Sequence, residues 1–306
     1  MRLLAIDLSN LIVRHSSNPY GSDTDAAGRP VHGAIGALAQ IARTIRNSNP
    51  THLLIARDCR RADSFRRKLD PGYKAHRSES DEEIKHQFKT TMRGIEILGW
   101  PLLGLEGYEA DDILASGATL FDGQTDILTG DRDMLALCSD KVTVLLLRPG
   151  GEVPVDSSGC FSLMGVRPDQ LTDYKALVGD SSDGILGIRG VGPKSAERLL
   201  DKYDNLDNVY KRVKDNQPLE GISEAIAKKV AEGKEQAELS YLLAKLVCDL
   251  PIDFDALAVP GSYDDDLVGP DLESIGLGPL RSKLGVKVSR KSADLDIEDH
   301  FKNMFN

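Results

Sequence analysis

The sequence begins with MRLLAIDLSN at residues 1–10, which contains the first strand signal of the chain. Leu3 to Ile6 form an apolar run that Asp7 closes, which predicts a buried parallel strand ending at the carboxyl edge of a sheet. Further short apolar runs lie at 53–56, 127–128 and 142–147, and helical patterns lie at 34–45, 83–98 and 110–120. Strands that alternate with helices predict a three-layer α/β domain with a mostly parallel sheet, here over residues 1–165.

The second part of the chain has a different pattern. After about residue 165 the strand signal fades, and helical patterns follow at 168–178, 193–203, 222–232 and 235–246. We therefore expect a helical region over residues 166–250. Residues 251–306 show little periodicity, which predicts a loosely structured and partly disordered C-terminal extension.

Composition limits the cellular setting and the class of partner. The 48 acidic and 38 basic side chains give a formal charge of -10, which argues against a nucleic-acid binder that works by bulk charge. The four cysteines are scattered without a close pair, which favours a reducing compartment. Asp7 interrupts the first apolar run, unlike in a signal peptide, and no run is long enough to span a membrane. We expect a cytoplasmic protein without a membrane partner.

Charge is unevenly distributed along the chain. Residues 251–306 hold 11 acidic and 6 basic side chains and so carry half of the excess negative charge. Residues 57–77, by contrast, hold eight Lys or Arg and three Asp. This basic stretch is either a solvated helix face or a surface that meets phosphates.

Acidic side chains recur where the predicted strands end and in the helical region. They are Asp7, Asp58, Glu109, Asp111, Asp112, Asp131, Asp133, Asp180 and Asp183. Helix capping and the helix dipole explain any one of them, but not their repetition along one sheet edge, where the side chains should converge. Converging carboxylates need cations, and an all-oxygen ligand set selects Mg²⁺ or Mn²⁺. Two such ions are the usual device for displacement at phosphorus, so the set predicts phosphodiester hydrolysis.

A glycine-rich segment, GIRGVGPKSAERLL, lies in the helical region. Gly187, Gly190 and Gly192 predict a tight hairpin before a helix that starts at Pro193, an arrangement suited to holding a phosphate. Lys194 and Arg198 add positive charge to that helix. The alternative is a plain turn between two helices.

The basic stretch ends in Tyr73-Lys74-Ala75-His76-Arg77. Lys74 and Arg77 are suited to stabilising charge on a phosphate, and Tyr73 to stacking on an exposed base. Taken alone, the segment also fits a surface turn.

Taken in order, five segments resemble the 5′-nuclease superfamily of flap endonucleases and 5′→3′ exonucleases. They are DLSN at 7–10, YKAHR at 73–77, EADD at 109–112, TGDRD at 129–133 and VGDSSDGILGIRGVGPKSA at 178–196. The resemblance covers about residues 1–250 and implies a saddle-like, PIN-like α/β domain, a helical arch at about 74–100 and a helix-three-turn-helix region. Gly184 and Leu186 depart from the family's frequent Asn and Pro.

The resemblance also implies roles for individual residues. Asp7, Asp58, Glu109, Asp111 and Asp112 match the first metal site of the family, and Asp131, Asp133, Asp180 and Asp183 match the second. Lys74 and Arg77 match the cations at the base of the arch, which contact the scissile phosphate. The segment from Gly187 to Lys194 matches the hairpin that grips duplex phosphates, in many members with a bound K⁺. We also count Arg66, Tyr73, Ser195 and Arg198 among the DNA-binding residues.

We therefore predict a Mg²⁺-dependent, structure-specific 5′ nuclease that acts in replication and repair in a bacterial or phage-infected cell. Its expected substrates are DNA with 5′ ends, flaps or nicks, and RNA primers. Two alternatives stay open, a DNA-junction binder without catalysis and a PIN-like ribonuclease. At the C-terminus, Phe301, Met304 and Phe305 are spaced as a short apolar face, which either docks a single-strand binding protein or clamp, packs on the chain's own domain, or frays.

Overall fold

The structure is a computed structural model that describes residues 1–78, 81–260 and 264–284. The strands are β1 (Arg2–Asp7), β2 (His52–Ala56), β3 (Leu102–Leu103), β4 (Gln124–Thr129), β5 (Val142–Arg148) and β6 (Gly151–Val155). The helices of the first half are α1 (Leu8–Ser16), α2 (His32–Ser48), α3 (Phe65–Leu69), α4 (Glu82–Ile97), α5 (Ala110–Leu120) and α6 (Ser157–Met164). Those of the second half are α7 (Leu171–Val178), α8 (Pro193–Tyr203), α9 (Leu206–Lys214), α10 (Glu224–Glu232), α11 (Lys234–Ala244), α12 (Asp265–Ser274) and α13 (Arg281–Leu284). Short 3₁₀ helices lie at Arg132–Leu137, Pro168–Gln170, Asp255–Leu257 and Gly278–Leu280.

The six strands form one sheet in the order β3-β2-β1-β4-β5-β6. All neighbouring strands are parallel except β5 and β6, which form an antiparallel hairpin. The predicted α/β class with a mostly parallel sheet is therefore confirmed. All four parallel strands predicted from apolar runs exist, and their carboxyl ends meet at one edge of the sheet.

Side-chain alternation along β1 divides the core into two layers. Leu3 and Ala5 pack with α5 on one face of the sheet, whereas Leu4 and Ile6 pack with α1 and α2 on the other. Successive side chains of a strand point to opposite faces, so a strand buried on both sides has to be apolar throughout. This is why the uninterrupted run before Asp7 is a reliable strand signal.

Two strands and three α-helices of the α/β part were not predicted, namely β3, β6, α1, α3 and α6. β3 has only two residues, too few for a periodicity signal. β6 contains Pro154 and exposed positions, which an edge strand tolerates because one side of its backbone faces solvent. α1 follows β1 without an intervening loop, and Asp7 belongs to the strand and also caps the helix.

The predicted helical region is occupied by α7 to α11. α8 has the predicted bounds, and the helices at α7, α10 and α11 agree with prediction within three residues. The helix α9 was missed, although Leu206, Val209 and Tyr210 form its buried face. α7 packs against α8 and α11 and brings this region to the carboxyl edge of the sheet.

The C-terminal extension differs from expectation over its described part. Leu272, Leu277, Leu280 and Leu284 are buried against α2 and α4 rather than loosely placed. Their spacing gives no helical period because the chain turns at residues 276–278 between α12 and α13. Phe301, Met304 and Phe305 lie outside the described residues, so the docking idea stays a prediction.

The segment predicted as the arch has two different parts. The turn at residues 71–76 leads from α3 towards the carboxyl edge of the sheet, whereas α4 packs along α1 and α2. Ile95 and Leu98 belong to the core, so the second half of the 74–100 segment is part of the body. Among the described helices, none is both long and apolar enough to cross a membrane.

Candidate active site

The motif Asp7-Leu8-Ser9-Asn10 joins two strand ends at the carboxyl edge. Asp7 accepts a hydrogen bond from the Asn10 backbone at 3.0 Å and caps α1. Its second oxygen accepts from the Thr129 hydroxyl at 2.9 Å, and the Asn10 side chain accepts from the Gly130 backbone at 2.9 Å. Asp7 therefore both caps α1 and belongs to the acidic site, two roles that the sequence alone could not distinguish.

Asp7, Asp58, Asp111 and Asp131 form one electrostatically coupled group, which we call the first group. Burial, followed by the charge of Asp58, raises the pKa of Asp7 to about 7. Burial and then the charges of Asp7, Asp131 and Asp58 raise the pKa of Asp111 well above its usual range. These acids lack enough neighbouring positive charge, which is the condition under which carboxylates take up a cation or a proton.

Asp133, Asp180 and Asp183 form the second group. Each offers a carboxylate oxygen, and the three oxygens lie within 4.8 Å of one another. Burial raises the pKa of Asp133 to about 6, Lys175 opposes that rise, and Asp131 adds to it. Asp131 raises the pKa of members of both groups, so the two groups are neighbours.

A cation that the sequence did not reveal lies inside the second group. The Lys175 ammonium donates to Asp180 Oδ2 at 2.7 Å and also pairs with Asp133. Burial favours the neutral carboxyl of Asp180, but Lys175 and two hydrogen bonds from Ser182 outweigh it and lower the pKa to about 2. Lys175 is one residue among many in an ordinary helical pattern, and only the tertiary packing of α7 brings it here.

Glu109 and Asp183 are linked by residues 73–77, which lie at the end of the basic stretch 57–77. Tyr73 donates its hydroxyl to Glu109 at 2.8 Å and to Asp183 at 3.3 Å. Lys74 Nζ lies 3.0 Å from Glu109, and Arg77 donates to Asp183 at 2.6 Å. Lys74 adopts a left-handed backbone, with φ of 49°, and its amide donates to the Asp183 carbonyl. Both predicted cations therefore reach the acidic edge.

Tyr73 and Arg66 were predicted to bind DNA, but both side chains are buried inside the protein. The Tyr73 side chain is buried, and its hydroxyl is held by two carboxylates, so its ring presents no face for a base. Arg66 is 2% exposed and donates to the carbonyls of Leu243 and Lys245. We reassign both residues to the support of the site.

Asp112 likewise stabilises the structure and does not belong to the first group. Its two oxygens accept a bidentate pair from Arg66, both bonds at 2.7 Å. The same oxygens accept from the backbones of Glu109 and Val247, at 3.2 and 3.0 Å. With four donors on two oxygens and no exposed surface, Asp112 has no orbital directed at the cleft. We therefore remove it from the proposed metal ligands.

The glycine-rich hairpin has the predicted form. Gly187 has φ of 60°, and an added Cβ would lie 2.2 Å from the backbone nitrogen of Gly179, so only glycine fits. Gly190 is also left-handed, whereas Gly192 is extended and caps α8. Lys194 and Arg198 are exposed on α8, and Ser195 is half-buried.

The two departures from the family pattern have different consequences. Gly184 has φ of 76°, a conformation that glycine and asparagine adopt more readily than other residues, so glycine suits the position where the resemblance led us to expect Asn. Leu186 leaves its side chain in solvent beside the hairpin.

A cleft of about 590 Å³ opens beside the second group. Its walls include Asn10, Arg132, Met164 and Tyr174 together with Asp131, Asp133, Lys175 and Asp180. The donor set fits hard divalent cations, because among the described residues the clustered ligand atoms are all carboxylate oxygens. The cleft gives a phosphate access to these acids from solvent.

A mostly parallel sheet whose carboxyl edge gathers acids, followed by a helical region with a glycine hairpin, is a fold of the PIN-like, 5′-nuclease class. The chain belongs to the 5′-3′ exonuclease family. Residues 2–163 match the family's N-terminal resolvase-like domain, and residues 166–265 match its C-terminal SAM fold.

The chain is similar to two kinds of curated protein. It is 36% identical over 230 residues to a 5′-3′ exonuclease of Bacillus subtilis, covering 74% of this chain and 75% of that protein. It is 31% identical over 296 residues to the thermostable DNA polymerase I of Thermus aquaticus, covering 96% of this chain but 34% of the polymerase. The chain thus spans about a third of the length of that polymerase.

Solved structures share the fold at low sequence identity. The 5′-exonuclease of phage T5 with bound zinc superposes with a TM-score of 0.64 at 20% identity, covering 93% of this chain and all of that one. A complex of the T5 flap endonuclease with DNA and metal ions gives 0.63 at 20% identity, covering 92% and 100%. The catalytic core of Rad2 with a DNA substrate gives 0.59 at 17% identity, covering 92% and 89%.

Proposed function

We propose that the chain is a divalent-metal-dependent 5′ nuclease that hydrolyses DNA at 5′ ends and flaps in replication and repair. The observation that carries this proposal is the gathering of two groups of carboxylates at one edge of the sheet, where Asp131, Asp133 and Asp180 line an open cleft. Burying so many acids together is costly without cations, so the arrangement is best explained by ions that bind when the protein works.

The described acids divide into two ligand sets under this proposal. Asp7, Asp58, Asp111 and Asp131 would hold one ion, and Asp133, Asp180 and Asp183 a second, with Glu109 beside both sets. We propose Mg²⁺, for which Mn²⁺ can substitute, since the ligands are hard oxygens. When bound, such ions act as Lewis acids that activate water and stabilise charge on the leaving oxygen.

Lys74 and Arg77 neutralise and orient the phosphate. Both reach Asp183, and Arg77 remains partly exposed, so a phosphate held over this carboxylate would lie beside two cations. The Tyr73 hydroxyl holds Glu109 and Asp183 by hydrogen bonds. These bonds would keep the two carboxylates oriented when substrate enters. Electrostatic stabilisation by such preorganised groups is a large part of phosphoryl-transfer catalysis.

The glycine hairpin and α8 would hold the duplex away from the cut. Lys194 and Arg198 are exposed next to the N-terminus of α8, where backbone amides and positive charge favour a phosphate. The K⁺ ion that the family resemblance implies belongs to this same proposal, as do RNA primers as substrates and a cytoplasmic location.

A cleavage assay separates the candidate functions. A DNA flap labelled at its 5′ end is incubated with Mg²⁺ or with EDTA, and the lengths of the labelled products are measured. The proposal predicts labelled mononucleotides or whole flaps with Mg²⁺ and no cleavage with EDTA. Binding of the flap without cleavage in Mg²⁺ or Mn²⁺ would instead support the junction binder.

The same flap with an RNA 5′ strand tests the remaining alternative. A PIN-like ribonuclease would cut single-stranded RNA and spare DNA. The proposed nuclease cuts the DNA flap, and its relative rate on the RNA flap measures its capacity for primer removal.

A further inference from the structure

Lys175 lies within the second group as if it were one of its ions. Its ammonium contacts Oδ2 of both Asp133 and Asp180, two of the three carboxylates of the group. Its side chain is 10% exposed and belongs to α7, a helix fixed against α8 and α11. A buried lysine between two acids is a costly arrangement that needs a specific reason.

Holding the Asp180 loop is not a sufficient reason. Asp180 Oδ1 already accepts two bonds from Ser182, at 2.9 Å from the backbone and 2.6 Å from the hydroxyl. The Asp180 backbone also exchanges both of its hydrogen bonds with Ile185, at 2.7 and 2.8 Å. The loop therefore keeps its shape through contacts that do not involve Lys175.

We propose that Lys175 is a resident counter-cation of the second group, whose ammonium balances Asp133 and Asp180 in the metal-free protein and must withdraw when a divalent cation binds there. The two cations would share carboxylate oxygens at ion-pair distance, where like charges in a partly buried site repel strongly. Lys175 thus stabilises the empty site and weakens its affinity for metal. This inference rests on the proposed function.

The first test is a calorimetric titration with Mn²⁺ of the full chain without DNA. The binding event that disappears in Asp180→Asn is assigned to the second group. Lys175→Met should tighten that event by about tenfold, roughly the value of one charge-assisted hydrogen bond. Lys141→Met is the matched control, because Lys141 is an exposed lysine at the opposite edge of the sheet, before β5, and its loss should leave the affinity unchanged.

This titration distinguishes failure of the counter-cation role from failure of the proposed function. Equal or weaker Mn²⁺ binding by Lys175→Met would overturn the counter-cation role, because a merely structural lysine keeps the ligands in place. Absence of Mn²⁺ binding in the wild-type protein as well would contradict the proposed function itself.

A second test uses the wild-type protein and does not depend on how a variant folds. Acetylation of each lysine by a water-soluble active ester is followed by mass spectrometry with and without saturating Mn²⁺. Release of the ammonium from its carboxylates should raise the labelling rate of Lys175 severalfold, while that of Lys141 stays constant. An unchanged or slower rate at Lys175 would refute the displacement.

Discussion

The adjacent acids Asp111 and Asp112 at the start of α5 have different roles. Asp111 joins the first group, whereas Asp112 is enclosed by Arg66 and two backbone amides. Consecutive residues of a helix point about 100° apart, so one side chain can face the cleft only if the next turns away. The sequence identified both acids as candidates, but their direction depends on where α5 packs. Lys175 had no sequence signal because its partners are Asp133, in a distant 3₁₀ helix, and Asp180, beyond the end of α7.

Breaking the Arg66–Asp112 pair should destabilise the protein. Asp112→Asn leaves the buried Arg66 guanidinium with only Glu109, 3.6 Å away, and loss of a buried partner of this kind typically costs about 3–5 kcal/mol of unfolding free energy. Urea denaturation in EDTA measures this loss in the absence of metal. Lys202→Met, which removes an exposed ion pair with Glu220, is the control and should have little effect. Unchanged stability of Asp112→Asn would return Asp112 to the list of candidate ligands.

The raised pKa of Asp7 makes the metal-free protein less stable as pH rises. A carboxyl whose folded pKa is about 7, against an ordinary 3.8, binds more protons when folded, so its stabilising contribution is lost between about pH 4 and 7. His15, whose pKa burial lowers to about 4, acts in the opposite direction. The comparison of wild type with Asp7→Asn isolates the carboxyl.

Urea denaturation in EDTA at several values between about pH 4 and about pH 7.5 covers this window and measures the effect. The unfolding free energy of wild type, minus that of Asp7→Asn, should fall as pH rises. A difference that is constant or rises with pH would show that Asp7 is not protonated in the folded, metal-free chain.

At the scale of elements, strands were easier to predict than connections. The runs before Asp7 and at residues 53–56 are buried on both faces, so composition alone marks them. The C-terminal helices α12 and α13 were missed because the four buried leucines of this segment are spread over α12, a turn, a 3₁₀ helix and α13. α13 has only four residues, and in α12 only Gly269 and Leu272 are buried, so neither helix shows a continuous apolar face.

The packing of α12 is testable with two leucines of the same helix. Leu272 is fully buried, whereas Leu267 is exposed. Leu272→Ala should lower the unfolding free energy by about 2–5 kcal/mol, and Leu267→Ala should leave it nearly unchanged. Chemical denaturation of both variants decides the point. Equal, small effects would mean that the segment does not contribute to the core.

For the whole molecule, the formal net charge counts the carboxylates but not the cations that they would bind. Residues 1–250 carry 37 acidic and 32 basic side chains, and two divalent cations would offset most of that excess. The acidity that argued against nucleic acid is therefore compatible with a DNA-binding cleft. Of the basic residues at 57–77, Lys74 and Arg77 reach the acidic edge, whereas Arg66 is buried and holds Asp112.

Divalent ions should stabilise the folded chain. At a Mn²⁺ concentration a hundredfold above the dissociation constant, binding adds about 2.7 kcal/mol, which raises Tm by several degrees. Thermal denaturation with Mn²⁺, EDTA, and K⁺ at matched ionic strength measures the effect. Stabilisation by K⁺ as large as by Mn²⁺ would point to general screening in place of specific sites.

The variant Asp180→Asn tests whether the acidic cleft performs hydrolysis. Single-turnover cleavage of a labelled flap in Mg²⁺ is measured together with the dissociation constant for DNA. Asp140→Asn is the control, because Asp140 is exposed at the opposite edge of the sheet. We predict a rate about 100-fold lower for Asp180→Asn with DNA affinity within about threefold of wild type. Cleavage at the wild-type rate would contradict the account.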